Sequence, residues 1–192
     1  MPDFNITLEN ENILLRPMIP EDFNYFKKIT NDKNLWYYFT YDLSDEIQLK
    51  EWVDSAIDQL NKKSRLPFTV KLKNENSIVG STSLGNFSES DGRVEIGWTW
   101  LGREFQGKGI NTQMKYLMLE YCFEKLDLER VEFKTDYLNN FSRKALVRIG
   151  AVEEGILRSH MLMTGNRRRD SIYYSILKSE WSSVKQRINK LL

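Results

Sequence analysis

The chain has 192 residues, of which 41% are hydrophobic, and its 28 basic and 27 acidic side chains give a formal net charge of +1. This composition predicts an ordinary globular protein and excludes a disordered or membrane class and a general electrostatic attraction to nucleic acid. A single cysteine, Cys122, excludes an internal disulfide framework. The sequence has neither the apolar core of a signal peptide nor a run of about 18 apolar residues, the length of a transmembrane helix. We therefore expect a cytoplasmic protein with a single domain over residues 1–192.

Seven strands and five helices are predicted from the spacing of apolar residues. The first strand spans 13–18, and Pro20 with the acids after it begins a helix, since both suit a first helical turn. A second helix begins near Ser44 and keeps an apolar stripe to Leu60. The later strands are predicted at 68–73, 78–84, 93–100, 131–136, 152–163 and 168–177, with helices beginning near Thr112, Phe141 and Ser179. No repeat interrupts this order, which indicates one α/β domain.

The most specific local feature is the segment Gln106-Gly107-Lys108-Gly109-Ile110-Asn111, between a predicted strand and a predicted helix. Glycines let the backbone approach a ligand closely, and the free N–H groups at a helix start form an anion site. The segment suits a pyrophosphate, and a flexible connector is the alternative. The Walker A motif does not fit, because it requires Ser or Thr after its lysine and Gly109 follows Lys108. The dinucleotide-binding fingerprint does not fit, because Thr112 occupies the position of its third glycine.

Gln106-x-x-Gly109-x-Asn111 resembles the Gln/Arg-x-x-Gly-x-Gly/Ala motif of the GNAT superfamily of N-acetyltransferases, with asparagine at the last position. The segments 107–112 and Asn139-x-x-Ser142-x-x-Ala145 are similar to the ribosomal-protein N-terminal (Rim type) branch of that superfamily. The resemblance covers about 13–177. It implies an α/β (α+β) fold with a mixed, mostly antiparallel sheet of about seven strands, helices on both faces, and acetyl-CoA as the cofactor.

The resemblance also implies how acetyl-CoA lies. The pantetheine arm is expected between the strands 93–100 and 131–136, which separate beside Trp100, and the pyrophosphate is expected on the glycine loop. Asn139 and Ser142 are expected to reach the arm from the other side, with helix capping as their alternative role. The implied cofactor-binding residues are Trp100, Leu101, Gln106, Gly107, Lys108, Gly109, Ile110, Asn111, Thr112, Asn139 and Ser142.

Acetyl transfer to an amine needs a proton acceptor, stabilisation of the oxyanion and a proton for the leaving thiolate. Glu95 is the candidate general base, because a carboxylate among tryptophans is expected to have a raised pKa, and a surface glutamate is the alternative. Strand alternation predicts that Glu95 faces away from Trp98. Leu146 occupies the position where many GNAT enzymes have a tyrosine for the thiolate, so Ser142 is the candidate proton donor.

Four other features have mainly structural interpretations. The single histidine, His160, excludes a histidine-rich metal site and is more typical of a structural residue than of a catalytic one, and Cys122 lies on an apolar helix stripe. A solvated turn is favoured for Arg167 to Arg169 over steering of an acidic peptide. The aromatic run from Trp36 to Phe39 is equally consistent with a wall of the amine pocket and with core.

The predicted function is an acetyl-CoA-dependent N-acetyltransferase that acts on a primary amine, either a protein N-terminus or a small molecule, by direct transfer in a ternary complex. A coenzyme A-binding sensor or interaction module without catalysis is the main alternative, and a phosphate-binding module is another. No metal, nucleic acid or membrane is expected as a partner, and a homodimer is left open. No residue of the sequence identifies the acceptor amine.

Overall fold

In the computed structural model, which describes residues 2–192, eight strands form one mixed sheet. Seven of them match the predicted strands, and the eighth has two residues, too few to give a periodic signal in the sequence. The strands are β1 (Leu8–Glu9), β2 (Ile13–Pro17), β3 (Arg65–Leu72), β4 (Ser77–Ser88), β5 (Arg93–Leu101), β6 (Arg130–Asp136), β7 (Val152–Leu162) and β8 (Arg168–Leu177).

The five predicted helices are present, with small differences at their starts. The second begins at Glu46 rather than near Ser44, because the carboxylate of Asp45 accepts the first-turn N–H groups. The last begins at Trp181, after a short 3₁₀ turn that contains Ser179. The helices are α1 (Asp22–Ile29), α2 (Glu46–Asn61), α3 (Ile110–Glu120), α4 (Asn140–Ile149) and α5 (Trp181–Asn189).

The strand order is β1-β2-β3-β4-β5-β6-β8-β7, and β5 and β6 are the parallel pair in an otherwise antiparallel sheet. The predicted mixed, mostly antiparallel sheet is therefore confirmed. β6 pairs with β5 over three residues and with β8 along its whole length. The sheet is thus continuous, but at its centre two parts are joined by the short pairing of β5 with β6, the strand junction.

Helices cover both faces of the sheet, as predicted. On one face α3, α4 and α5 enclose the larger apolar core, which includes Phe68, Val94, Met114 and Phe133. On the other face α1 and α2 enclose a smaller, aromatic core around Trp100. Along the described part of the chain, no helix has both the length and the apolar character needed to cross a bilayer.

A β-bulge in β5 changes which way Trp98 points. Gly97 pairs with Ser83 and Trp100 pairs with Ser81, so two residues of β5 lie opposite one residue of β4, and Trp98 has a φ of 51°. A β-carbon on Gly85, the residue opposite Glu95, would meet the indole of Trp98 at 2.8 Å. Trp98 therefore shares the face of Glu95, and the prediction from simple alternation was wrong at this residue.

Candidate functional site

The glycine loop joins the end of β5 to the start of α3 and leaves open space in front of the helix. Gly107 and Gly109 have φ values of 74° and 79°, in the left-handed region that favours glycine. A β-carbon at either residue would meet no atom of residues 2–192 within 4 Å. Gly109 directly precedes α3 and has no side chain with which to cap it, so the first-turn N–H groups are available to an anion.

The other residues of the loop differ in what they can offer a ligand. Gln106 Nε2 donates to the carbonyl of Leu101 at 3.1 Å, which ties the loop to the end of β5. Lys108 is exposed, with its Nζ 5.8 Å from the centre of the Phe105 ring. The side chain of Ile110 is buried in the larger core, so this residue can present its N–H group alone. Asn111 and Thr112, in the same helical turn, are half-buried.

Beside the loop, β5 and β6 separate and form a cleft. Their pairing covers Arg93–Glu95 and Arg130–Glu132, and within the described chain the remainder of β5 pairs with β4 on its other edge. The separation thus begins after Glu95, earlier than the predicted position beside Trp100. Within the separated part, the side chains of Trp100 and Leu101 are buried in the two opposite cores. Contacts of these two residues with a ligand in the cleft would therefore come from the main chain.

Glu95 lies at the closed end of this cleft and is 4% exposed. Its Oε2 accepts a hydrogen bond from Asn86 Nδ2 at 2.8 Å and forms an ion pair with Lys134 Nζ at 3.2 Å. The alternative of a surface glutamate is therefore wrong. The partners of the carboxylate are polar groups, whereas the sequence led to the expectation of tryptophan neighbours.

Lys115 is a buried residue of the cleft that was not among the candidates predicted from the sequence. It is 5% exposed, and its Nζ donates to Thr99 Oγ1 at 3.0 Å. Burial lowers the pKa of Lys115 to about 7, although the attraction of Glu95 opposes part of that shift. The sequence contains a signal of this burial. Residues three, four and seven positions later lie on the same face of a helix, and after Lys115 these are the apolar Met118, Leu119 and Cys122.

Asn139 and Ser142 lie at the start of α4, and the structure gives them a capping contact. Asn139 Oδ1 accepts from the backbone N–H of Ser142 at 3.1 Å. Ser142 is half-buried, and Leu146, one turn further along the helix, is 6% exposed in the larger core. The capping role of Asn139 is confirmed, while contact of either residue with a cofactor stays a prediction.

Within the aromatic run, Trp36 belongs to the core and Tyr37 is exposed, and a role for Tyr37 as a wall of the amine pocket stays a prediction. Trp36 is 1% exposed, and its Nε1 donates to the carbonyl of Thr30 at 2.9 Å, so this residue is core. Tyr37 is 59% exposed, and its ring centre lies 5.4 Å from the guanidinium of Arg167.

The arginine run was expected to be a solvated turn, and this prediction was wrong for two of its three residues. Arg167 forms an ion pair with Asp136, a fully buried carboxylate at the end of β6. Arg169 is 7% exposed and donates to Ser171 Oγ at 3.0 Å. The middle residue, Arg168, is exposed as predicted.

Within the part of the chain that the structure describes, Cys122 and His160 have no contacts that suggest chemistry. Cys122 is fully buried, and burial raises the pKa of its thiol, which makes the thiolate less available. His160 is exposed on β7 with its Nδ1 3.0 Å from Ser171 Oγ. Among residues 2–192, no group of three or more histidine, cysteine, aspartate or glutamate side chains is arranged to hold a metal ion.

Comparison with known proteins agrees with this geometry. The sequence profile of the family described as "Acetyltransferase (GNAT) domain" matches residues 12–152. A relative from Bacillus subtilis (strain 168), named "Putative ribosomal N-acetyltransferase YdaF", is 32% identical over 185 residues, which cover 92% of this chain and 97% of the relative.

Solved structures show the same fold. A GCN5-related N-acetyltransferase from Brucella melitensis superposes with a TM-score of 0.88 at 24% identity, over 98% of this chain and 86% of the other. A ribosomal-protein-S5-alanine acetyltransferase from Vibrio fischeri superposes with a TM-score of 0.74 at 23% identity, over 92% and 98% of the two chains. The family profile covers well over half of the sequence, and the glycine loop and the cleft lie within it. The chain therefore belongs to the GNAT family and is an acetyltransferase.

Proposed function

We propose that the protein transfers the acetyl group of acetyl-CoA to a primary amine by direct transfer in a ternary complex. The observation that carries the proposal is the continuity of the glycine loop with the cleft between β5 and β6. An anion site that opens into a narrow gap between strands suits a ligand with a pyrophosphate followed by an extended arm.

The residues present fit coenzyme A. The open space at Gly107 and Gly109 has room for phosphate oxygens against the N–H groups of Ile110 to Thr112. The unpaired edge of β5 offers main-chain groups to amides of the arm, and half-buried Ser142 at the start of α4 would face the arm from beyond β6. When bound, acetyl-CoA supplies the acetyl group as an activated thioester.

Glu95 is the proposed proton acceptor for the amine. It is the buried carboxylate at the point where β5 and β6 separate, and Asn86 and Lys134 fix its Oε2 in position. Val94 and Ile96, its neighbours on β5, point into the larger core, so Glu95 lies on the α1/α2 face of the sheet. The amine would therefore approach from the side opposite α3. A fixed carboxylate at the end of the cleft can take a proton without reorganising.

Two further groups complete the proposed chemistry. Main-chain N–H groups of β5 beyond the junction would stabilise the negative charge that develops on the acetyl oxygen. Ser142 would relay a proton to the thiolate, directly or through water, and would take up a solvent proton as it gives up its own, because Leu146 has no polar group to do so.

Binding measurements test the cofactor assignment. We expect calorimetry to show tight binding of acetyl-CoA and much weaker binding of ATP and ADP, which lack the pantetheine arm. Equal affinity for all three ligands would contradict an arm in the cleft and would favour a general phosphate site.

An acceptor panel tests the reaction. The name of the B. subtilis relative refers to ribosomal N-acetylation, so the panel should contain N-terminal peptides of ribosomal proteins beside polyamines and other small amines. We expect thiol release that depends on one acceptor class, with peptide N-termini favoured. Thiol release at the same rate with and without every acceptor would contradict transfer to an amine.

A further inference from the structure

The ammonium group of Lys115 lies in the gap between the two separated strands. The side chain comes from α3, on the larger core, and its Nζ contacts Thr99 of β5 on one side. On the other side, the Nζ lies 5.6 Å from the centre of the Phe133 ring of β6. Contact with both strands places the group within the cleft where the arm of acetyl-CoA is proposed to lie.

This buried group has more donors than acceptors. An ammonium has three N–H donors, and Thr99 Oγ1 is the acceptor for one of them. Among the described residues, no carboxylate lies within ion-pair distance of Lys115, and Glu95 acts on it by longer-range attraction. Burial without a neutralising partner is costly, so a ligand oxygen in the cleft would gain a strong hydrogen bond.

The hydroxyl groups beside Lys115 hold its side chain in place. Thr99 Oγ1 lies 2.7 Å from Thr82 Oγ1 on β4 and 3.3 Å from the carbonyl of Gly97. Thr99 can therefore accept from Lys115 while it donates to one of these two oxygens. A lysine fixed in this way loses little side-chain entropy when it binds a ligand.

The position along α3 selects the part of the arm that Lys115 can reach. It is six residues beyond Gly109, which corresponds to about 9 Å along the helix axis. It therefore lies between the glycine loop and the strand junction at Glu95. In a ligand with its pyrophosphate on the loop and its thioester near Glu95, amide groups of the arm occupy this intermediate region.

We propose that Lys115 binds the donor by donating a hydrogen bond to an amide carbonyl of the pantetheine arm. The inference rests on the proposed function, because it assumes that coenzyme A occupies the cleft. Lys115 would thus add a side-chain contact to the arm in a cleft where β5 and β6 otherwise offer main-chain groups.

Calorimetry with three ligands tests the assignment. The ligands are acetyl-CoA, coenzyme A and adenosine 3′,5′-bisphosphate, which keeps phosphates but lacks the arm. Lys115→Met should bind acetyl-CoA and coenzyme A about 10- to 100-fold more weakly than the wild type, the range expected for loss of a hydrogen bond from a charged donor. Its affinity for adenosine 3′,5′-bisphosphate should be unchanged. Lys125→Met, at an exposed lysine in the turn after α3, is the matched control and should bind all three ligands normally.

The pattern of losses separates the explanations. Unchanged affinity of Lys115→Met for both acetyl-CoA and coenzyme A would overturn the assignment, and a loss confined to acetyl-CoA would overturn the choice of an amide over the thioester carbonyl. A loss of all three ligands would indicate a disturbed loop, and the milder Lys115→Gln, measured in the same way, then decides. A wild-type protein that binds neither coenzyme A nor acetyl-CoA would contradict the proposed function itself.

Discussion

Two buried ionisable residues lie near the strand junction on opposite faces of the sheet. Glu95 faces α1 and α2 and is held by Lys134 and Asn86, whereas Lys115 comes from α3 and contacts Thr99. The face that each residue occupies determines its proposed partner, since the amine and the arm would approach from different sides. Substitutions at the two positions should therefore have separable effects, on turnover for Glu95 and on donor binding for Lys115.

Glu95→Gln should bind acetyl-CoA normally and lose turnover by about 100-fold, the usual size of general-base assistance. The amide keeps the size of the side chain and removes the proton acceptor. The deficit should shrink as pH rises, because amino groups with a pKa near 8 then lose their proton to solvent. Steady-state rates on a verified acceptor check this result, with the surface variant Glu129→Gln as the control. A rate equal to that of the wild type at neutral pH would leave positioning and backbone amides as the source of catalysis.

The free energy of unfolding of Lys115→Met should exceed that of the wild type, by an amount that depends on pH. Burial lowers the pKa of Lys115 from 10.5 to about 7, so between these values the unfolded chain binds a proton that the folded chain does not. Wild-type stability should therefore rise between pH 7 and 10 relative to the variant, and the gap between them should be largest at pH 7 and below. Urea unfolding at pH 7, 8 and 9 measures this gap. A gap that stays constant with pH would contradict a depressed pKa.

At the scale of elements, the regular parts of the fold could be predicted from the sequence and the irregular parts could not. Apolar periodicity identified seven strands and five helices, because alternation and the helical stripe are local properties. The bulge at Trp98 depends on how β4 and β5 are aligned, and the ion pair of Arg167 with Asp136 joins residues 31 positions apart. The glycine loop was recognised because its function requires particular residue types at fixed spacing. Lys115 was overlooked because a single lysine beside an apolar stripe is usually solvated.

Gly109→Asp should lose affinity for acetyl-CoA and for adenosine 3′,5′-bisphosphate severely. The substitution places a side chain in the open space in front of α3, strains a residue with a φ of 79°, and brings a negative charge to the anion site. Gly165→Asp, in the turn between β7 and β8, is a matched control, because it has a φ of 75° and equally open surroundings. Calorimetry on both folded variants should show a defect for Gly109→Asp alone. Normal binding by this variant would place the phosphate site elsewhere.

At the scale of the whole molecule, the sheet consists of two parts joined by a short junction. β1 to β5 form one part and β6, β8 and β7 form the other, and the parallel pairing of Arg93–Glu95 with Arg130–Glu132 connects them. The proposed donor site lies directly beyond this junction, so a bound arm would occupy the position of the missing strand pairing. Binding of acetyl-CoA should therefore connect the two parts as well as fill a pocket.

Hydrogen exchange should reveal this connection. Backbone amides of β5 between 96 and 101 that face the cleft have no strand partner on that edge in the described chain, and they should exchange faster than amides paired with β4. Acetyl-CoA should slow their exchange, because groups of the arm would take the place of a neighbouring strand. Adenosine 3′,5′-bisphosphate should protect the start of α3 and leave β5 unchanged, since it reaches the loop but not the cleft. Exchange measured by mass spectrometry on the free protein and the two complexes provides the comparison. Protection by acetyl-CoA limited to the start of α3 would show that the arm lies outside the cleft, and the roles proposed for Glu95 and Lys115 would then both be wrong.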